Sequence, residues 1–422
     1  MKGIQIERVQ AMIEQLADYG RNADGSITRP SYGPAYLAAQ EWLAEVMGQA
    51  GMEVTRDAVG NLTGTYAGQE EALPAVMTGS HLDTVPNGGR LDGALGIVAA
   101  IECVRSWQEA GWRPLRPVKV LATIEEEGSI FGLGCFGARV MAGEFAGSNP
   151  DDLQDKHGRR LSEFLSDQGL PPSALVDAVI DSSRYHSFLE LHIEQGEELD
   201  LKQKPFALVT DIVGIDRHWI TLSGQANHAG TTRMDRRRDA LVAAACLIQQ
   251  VYEAAIASNG GYVATIGTLT VSPGATNVIP GVVELRVETR AADNGRLEAA
   301  HTHLAALLEA VGRRYGVKGV ISKRHTTPAM QLPEGVLQEL RLAVEAAGFP
   351  PAEEMPSWAG HDAKILAEHI PSGMIFVPSI KGISHAREEE TYWEAAAQGI
   401  EVLNQALKRL ACQRETLGTG GK

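Results

Sequence analysis

Cysteine is scarce in this chain, basic residues are in deficit, and long apolar runs are missing. Each shortage excludes something. The 422 residues hold four cysteines, Cys103, Cys135, Cys246 and Cys412, with no CxxC pair among them. That spacing predicts a reducing compartment and no disulfide framework. There is no GxSxG, and no cysteine lies beside a histidine motif, so serine or cysteine nucleophilic catalysis is disfavoured. The formal net charge of −15 makes nucleic acid or an anionic membrane a poor partner. The N-terminus, MKGIQIERVQAMIEQLADYG, reads as an amphipathic helix and not as a basic stretch leading into an apolar one. With no continuous apolar segment of membrane-spanning length, a cytoplasmic location is expected.

What is present is the texture of a multidomain α/β protein, since the length exceeds one ordinary core. Helical spacing runs from Ile6 to Leu16 and from Tyr36 to Ala50, with Gly51 as a stop. LPAVMTGSHLDTV is a buried strand ending at a histidine motif. GALGIVAAIECVRSWQEAG is a helix that begins just after Asp92, and RPVKVLATIEEEGSIFG is a second apolar strand ending in three glutamates. Strand, motif, helix, strand, motif is the order of an α/β sheet with ligands at the carboxyl ends of its strands. Residues 148–175 are polar and proline-containing and read as a surface excursion. After FLELHIEQG the pattern changes to strands and long helices, which predicts an α+β insert over 213–327. The predicted catalytic domain is therefore discontinuous, 1–212 and 328–412, followed by a tail, 413–422, in which ETLGTGGK is expected to be disordered.

Candidate metal ligands stand beside glycines near the ends of apolar stretches: His81, Asp92, the run Glu125–Glu126–Glu127, His192 and His385. Any one histidine is more often a structural, hydrogen-bonded residue, and acid runs are usually solvated faces. The joint placement of all of them after AVMTGSH, VLATIEEE, FLELH and IFVPSIKGISH is far more specific. Histidines with carboxylates suit zinc, manganese, cobalt or nickel. Three histidines and an extra carboxylate exceed one catalytic site, so two divalent ions sharing a bridging aspartate fit better. Asp83 is expected to accept a hydrogen bond from the His81 imidazole and set its tautomer. One glutamate left off the metals would be free to take a proton from water. Spacing alone does not say which.

The motifs GSHLDTVPNGGRLDG, EEEGS, HIEQG, NHAGTTRMDRRRDA, TNVIPG, GHDA and GISHAREE together resemble the bacterial amidase branch of the di-zinc aminopeptidase/carboxypeptidase-like family. That branch comprises N-carbamoyl-L-amino-acid hydrolases, β-ureidopropionases and allantoate amidohydrolases, and the resemblance covers about residues 5–410. It implies a di-zinc aminopeptidase-like catalytic domain with an inserted ferredoxin-like lid and dimerisation domain. It implies that His81 and His192 hold one metal, Glu127 and His385 the other, and Asp92 bridges them, with Glu126 as general base. His228 would hydrogen-bond the developing oxyanion. Gln195, Arg217, Asn277, Arg290 and Gly360 would line the substrate pocket, Arg290 as a fork for a carboxylate. His361 would lie just behind the metals.

The implied activity is hydrolysis of a linear C–N bond in a ureido acid. An N-carbamoyl-L-amino acid is the first choice, giving amino acid, carbon dioxide and ammonia. Allantoate and β-ureidopropionate are alternatives on the same site, and a dipeptidase or aminoacylase is a more distant one. A small-molecule substrate and a homodimer are the expected partners. Ile130, Arg233, Trp358 and Arg387 depart from the family pattern near pocket-shaping motifs, which points to a substrate unlike the best-known ones. Trp358 is expected to pack against an apolar or aromatic substrate group.

Overall fold

A computed structural model describes residues 3–414. The ETLGTGGK segment lies outside the described residues. Two compact units emerge. The first takes the chain up to Thr210, Leu332–Met355 and the chain from Ala359 onward; the second is Asp211–Gln331 with Pro356–Trp358.

The first unit is built on a mixed sheet. Its strands lie in the order Glu53–Arg56, Leu62–Tyr66, Val118–Thr123, Ala75–His81, Tyr185–Ile193, Ser372–Val377 and Ala207–Ile212. The four central strands, from Val118–Thr123 to Ser372–Val377, are mutually parallel. They read as near-continuous apolar runs because helices cover both faces. All seven residues of Ala75–His81 are buried. Gly79 on that strand has φ 146°, and a Cβ there would stand 1.8 Å from the Leu121 carbonyl oxygen, so only glycine fits. The helix Ala94–Glu109 is buried almost throughout. Its Glu102, fully buried, accepts from Arg8 Nε and Nη2 at 2.6 and 2.8 Å and from the Gln5 amide at 2.9 Å, so the charge is paired.

Residues 148–175 are not merely a surface excursion. They contain the helix Leu161–Asp167, which sends Leu161, Phe164 and Leu165 into the main core. Phe164 meets the rings of Tyr32 and Phe131 with centroids 5.6 Å away in each case. The apolar residues recur at i, i+3 and i+4, a helical stripe short enough to be hidden in a polar segment.

The second unit follows the element order β-α-β-β-α-β. Its strands lie in the order Lys318–Thr327, Gly214–Ser223, Val282–Ala291 and Val263–Ser272, all antiparallel. The helices Ala240–Ala257 and Asn294–Tyr315 pack on one face, around Ile220, Leu222, Leu247, Val283, Leu285 and Leu308. Ala240–Ala257 departs from the sequence expectation, for it is apolar and long enough to cross a membrane by length and composition. One side of it, Ala243, Ala244, Leu247 and Val251, is packed into this core. Leu241, Val242, Tyr252 and Ile256 on other sides are exposed.

Under the helix Asn294–Tyr315 lies a buried polar group. His218 Nε2 is 2.9 Å from His301 Nδ1 and the rings stack with centroids 5.0 Å apart. Asp216 accepts from Arg324 Nε at 2.8 and 3.1 Å and from Thr326 Oγ1 at 3.0 Å, and Arg324 also reaches Glu298. Burial depresses the His218 pKa, with Asp216 opposing and the His301 and Arg324 charges adding to the fall. Unfolding therefore takes up a proton below the ordinary histidine pKa of about 6.5. Stability is full above that pH and falls as pH drops toward the depressed folded value, by up to about 1.4 kcal/mol per pH unit for one proton. Denaturant unfolding measured between pH 7.5 and 5 is expected to show this loss, and His218→Gln is expected to flatten it. Identical pH slopes for both proteins contradict the assignment.

Candidate metal centre

The parallel strands bring their carboxyl ends to one edge, and the candidate ligands collect there. His81 ends its strand, His192 is the penultimate residue of Tyr185–Ile193, and Glu126 and Glu127 lie in the turn after Val118–Thr123. Asp92 precedes the helix Ala94–Glu109. His385 is in a loop beyond Ser372–Val377, with φ 57°.

Asp92 is central. Its Oδ1 lies 3.2 Å from His81 Nε2 and 3.1 Å from His192 Nε2. Its Oδ2 lies 3.1 Å from His385 Nε2, which is 3.4 Å from Glu127 Oε1. The five residues thus form two groups, His81–Asp92–His192 and Asp92–Glu127–His385, that share one carboxylate. Donor atoms at such spacings suit ions bound at about 2.0–2.2 Å. The donor set fits divalent metal: the buried imidazoles of His81 and His192 and the more exposed one of His385 face the Asp92 carboxylate, and Glu127 Oε1 is a buried oxygen with no hydrogen-bond donor. Gly93 has φ 66°, and a Cβ there would run into the His81 ring at 2.6 Å. The glycine lets the Asp92 turn close on the histidines.

The groups perturb one another strongly, as expected of a functional cluster. Burial opposes ionisation of Asp92, yet hydrogen bonds from His192, His385 and His81 hold it well below the usual carboxylate range. Burial and the Asp92 charge push Glu127 up to about 7. Burial lifts Glu126 well above its ordinary value, against the pull of His81.

The three consecutive glutamates have three different fates. Glu125, at φ 57°, turns inward, and its Oε1 accepts the Ile130 and Phe131 amides at 2.6 and 3.0 Å. It closes the turn. Glu127 faces His385. Glu126 has Oε2 3.9 Å from His81 Nε2 and Oε1 3.1 Å from the Cys135 thiol. Asp83 does not act as expected. The His81 Nδ1 partner at 3.0 Å is the Asp83 backbone carbonyl, and the carboxylate is 3.9 Å away. Instead, that carboxylate accepts the Glu126 and Glu127 amides, each at 3.1 Å. Two residues along, the side chain points past the ring, so the tautomer is set by the backbone and the carboxylate holds the glutamate turn.

Glu389 is a residue that sequence reasoning missed. It is buried, and its Oε1 accepts the Leu91 and Asp92 amides at 2.8 and 3.1 Å. Its Oε2 accepts the Ser384 hydroxyl at 2.9 Å and the His385 amide at 3.3 Å. One carboxylate thereby clamps the loops of two ligands almost 300 residues apart in sequence. Gly89 leaves room for it, since a Cβ at that position would stand 2.2 Å from Glu389 Oε1. In the sequence it is one acid of an EEE run, and nothing marks it as buried. Behind His192, the His361 ring approaches to 4.6 Å edge-on, and burial keeps its pKa well below the ordinary value. Glu190 accepts from Ser80 Oγ at 2.7 Å and from the Ala363 amide at 3.0 Å, and Asp362 accepts from Thr123.

The expected substrate residues divide between the units. Gln195 is at the metal cluster, its amide nitrogen 2.7 Å from Asp92 Oδ2 and 3.2 Å from His385 Nε2. Gly360 is exposed in the same unit. His228, Asn277, Arg217 and Arg290 belong to the second unit. His228 and Asn277 are neighbours there, since the Asn277 carbonyl accepts the Ala229 amide at 3.0 Å. His228 Nδ1 accepts the Gly230 and Thr231 amides at 3.0 and 3.2 Å. The proton of the neutral ring then sits on Nε2, an exposed donor. Arg217 and Arg290 converge on Glu288. Of the departures, Ile130 is tied to Glu125, and Arg233 and Arg387 are exposed beside Asp235 and Glu388. Trp358 gives its carbonyl to Arg290 Nη1 at 2.8 Å.

Residues 77–409 match the sequence model of Peptidase family M20/M25/M40. The chain is 35% identical over 406 residues to the N-carbamoyl-L-amino-acid amidohydrolase of Paenarthrobacter aurescens, across 96% of this chain and 98% of that protein. It is 33% identical over 399 residues to the allantoate amidohydrolase of Bacillus subtilis, across 94% of this chain and 96% of that protein. A solved amidase of the hydantoinase/carbamoylase family from Burkholderia multivorans is similar with a TM-score of 0.89 and 31% identity, over 97% of this chain and 98% of that one.

The Glu389 clamp has a measurable consequence. Glu389→Gln turns one accepting oxygen into an amide facing N–H or O–H donors. It is expected to weaken retention of divalent metal by about tenfold or more, the usual cost of losing a group that orients ligands. Metal content after dialysis against graded chelator checks this, with circular dichroism confirming the fold. Unchanged metal retention refutes the clamp.

Proposed function

The chain belongs to Peptidase family M20/M25/M40, and from that premise we propose that it is a metal-dependent amidohydrolase cleaving a linear C–N bond of a ureido acid. An N-carbamoyl-L-amino acid is the preferred substrate. Adding water yields amino acid, carbon dioxide and ammonia. The observation that carries this reading is Asp92, with one oxygen between His81 and His192 and the other toward His385 and Glu127. The full-length similarity to the N-carbamoyl-L-amino-acid amidohydrolase of P. aurescens supports the substrate class.

Two divalent ions, zinc or else manganese, cobalt or nickel, are assigned to His81–Asp92–His192 and Asp92–Glu127–His385. When bound they supply Lewis acidity at the scissile carbonyl and make water a stronger acid. The protein does the rest. Glu126 takes the proton of the attacking water and returns it to the leaving nitrogen. The Cys135 hydrogen bond fixes Oε1 so that Oε2 stays on the His81 side. His228 offers its Nε2 proton to the oxygen that gains charge. Arg290 is assigned as the fork for the substrate carboxylate, which would take the place of Glu288 on its Nε and Nη2, and Arg217, Asn277, Gln195 and Gly360 are assigned to the pocket lining.

The second unit is assigned as a lid and dimerisation domain, within domain bounds of 1–212 and 328–412 for the catalytic part and 213–327 for the lid. Support for a homodimer comes from the exposed Leu241, Val242, Tyr252 and Ile256 of its first helix and from Val263–Ser272, an edge strand of its sheet. An apolar helix face beside an unpaired edge favours a second copy. Tyr252→Arg with Ile256→Asp is expected to give a monomer by sedimentation velocity, and a dimer that persists excludes this surface. The unpaired cysteines agree with a cytoplasmic location.

Ammonia release decides the activity. The chelator-stripped protein, reloaded with each metal, is offered N-carbamoyl-L-amino acids, N-carbamoyl-β-alanine, allantoate and N-acyl amino acids. Metal-dependent release from a ureido acid, reduced at least about a thousandfold in Glu126→Ala, is the expected result. Release only from N-acyl amino acids moves the reading to an aminoacylase.

A further inference from the structure

The first unit has a second concavity, at the edge of its sheet away from the metal cluster. A cavity of about 600 Å³ opens at the amino ends of Ala75–His81 and Val118–Thr123, with Ala75 and Pro117 in its wall. His81 ends the seven-residue strand that Ala75 begins. At about 3.3 Å per residue, about 20 Å separates this wall from the metal ligand. Every lining residue belongs to the first unit. Four of them are charged: Glu53, Glu71, Lys119 and Arg184.

Strand pairing keeps the opposite charges apart. Glu53 lies opposite Thr65, and Thr65 lies opposite Lys119, both in antiparallel pairs. Residues paired in this way point to the same face, so acid, hydroxyl and base form a row across three strands. Neighbouring strands are about 4.8 Å apart, which puts the Glu53 and Lys119 backbones about 10 Å from each other. The cavity thus holds charge of both signs, and among the described residues none of its four charged side chains is ion-paired. Lys119 is the half-buried member. Its Nζ stands 5.5 Å from the centre of the Tyr185 ring, which restrains the ammonium without neutralising it. Burial, with the Arg184 charge adding, lowers its pKa. A partly desolvated ammonium beside a second cation lacks a counter-charge, and the concavity has room to admit one.

The geometry points to this cavity as a binding site for a free α-amino acid with an apolar side chain. The carboxylate goes to Lys119 and Arg184, the ammonium to Glu53, and the hydrocarbon to the wall of Ala67, Leu73 and Pro74. A volume of about 600 Å³ lies in the range of small-molecule sites. The pattern of charge selects the zwitterion: a simple anion meets Glu53 and Glu71, and a simple amine meets Lys119 and Arg184. An α-amino acid is also the product class of the proposed hydrolysis, so the site reads product at a distance from the metals. That link alone rests on the amidohydrolase reading.

Titration calorimetry of the metal-loaded protein tests this with L-leucine, with 4-methylpentanoate, which lacks the ammonium, and with 3-methylbutylamine, which lacks the carboxylate. Leucine is expected to bind about tenfold or more tighter than either half-ligand. Lys119→Met and Glu53→Gln are each expected to weaken leucine binding by about tenfold. Glu53 is exposed on a short outer strand, so its substitution spares the fold, and circular dichroism checks both variants. Leucine held at the metals instead is insensitive to both substitutions. No saturable binding of leucine, affinity equal to that of the half-ligands, or affinity unchanged in both variants overturns the site. If leucine binds with the expected dependence on Lys119 and Glu53 while no ureido acid is hydrolysed, the amidohydrolase reading fails and the site stands.

Discussion

Everything at the metal centre depends on one carboxylate standing among three imidazoles. Asp92 is buried, which by itself costs several kcal/mol for an ion, and it stays charged because His81, His192 and His385 all point nitrogen at it. The same arrangement splits its two oxygens between two ligand groups. A carboxylate used in this way has no freedom to move. Its backbone is held by Glu389 from one side and relieved of crowding by Gly93 on the other. The parallel strands supply the rest of the rigidity, since they end together and carry His81 and His192 on fixed backbone.

Around that centre, carboxylates are used more often as struts than as ligands. Asp83 holds the Glu126–Glu127 turn through two amides, Glu125 closes the same turn, and Glu389 ties two loops. An ionised carboxylate accepts several amide hydrogen bonds at once, which makes it an efficient organiser of tight loops that have no regular ladder. This accounts for part of the acidity of the chain near the centre without invoking a cationic partner. The second unit uses its charges differently. Glu288 gathers Arg217 and Arg290 on an open sheet face.

The amino-acid pattern alone pointed to the α/β class, to a change of texture after HIEQG, and to the histidines, Asp92 and the glutamate run as candidates, without choosing among Glu125, Glu126 and Glu127. The reason is physical: parallel strands buried on both faces must be apolar throughout, so polar residues that end such runs stand out, and glycines mark where backbone must come close. Only the tertiary structure decided what each acid does. Glu125, Glu126 and Glu127 are chemically identical neighbours, and their roles diverge because φ 57° at Glu125 turns one side chain inward while the next two face the histidines. Asp83 and Glu389 act through amides contributed by distant loops, a kind of partnership that leaves no periodic trace in sequence. The sheet-face arginines likewise acquire meaning only through register, because which cation lies opposite Trp219 or Glu288 is set by strand pairing between segments about 70 to 100 residues apart.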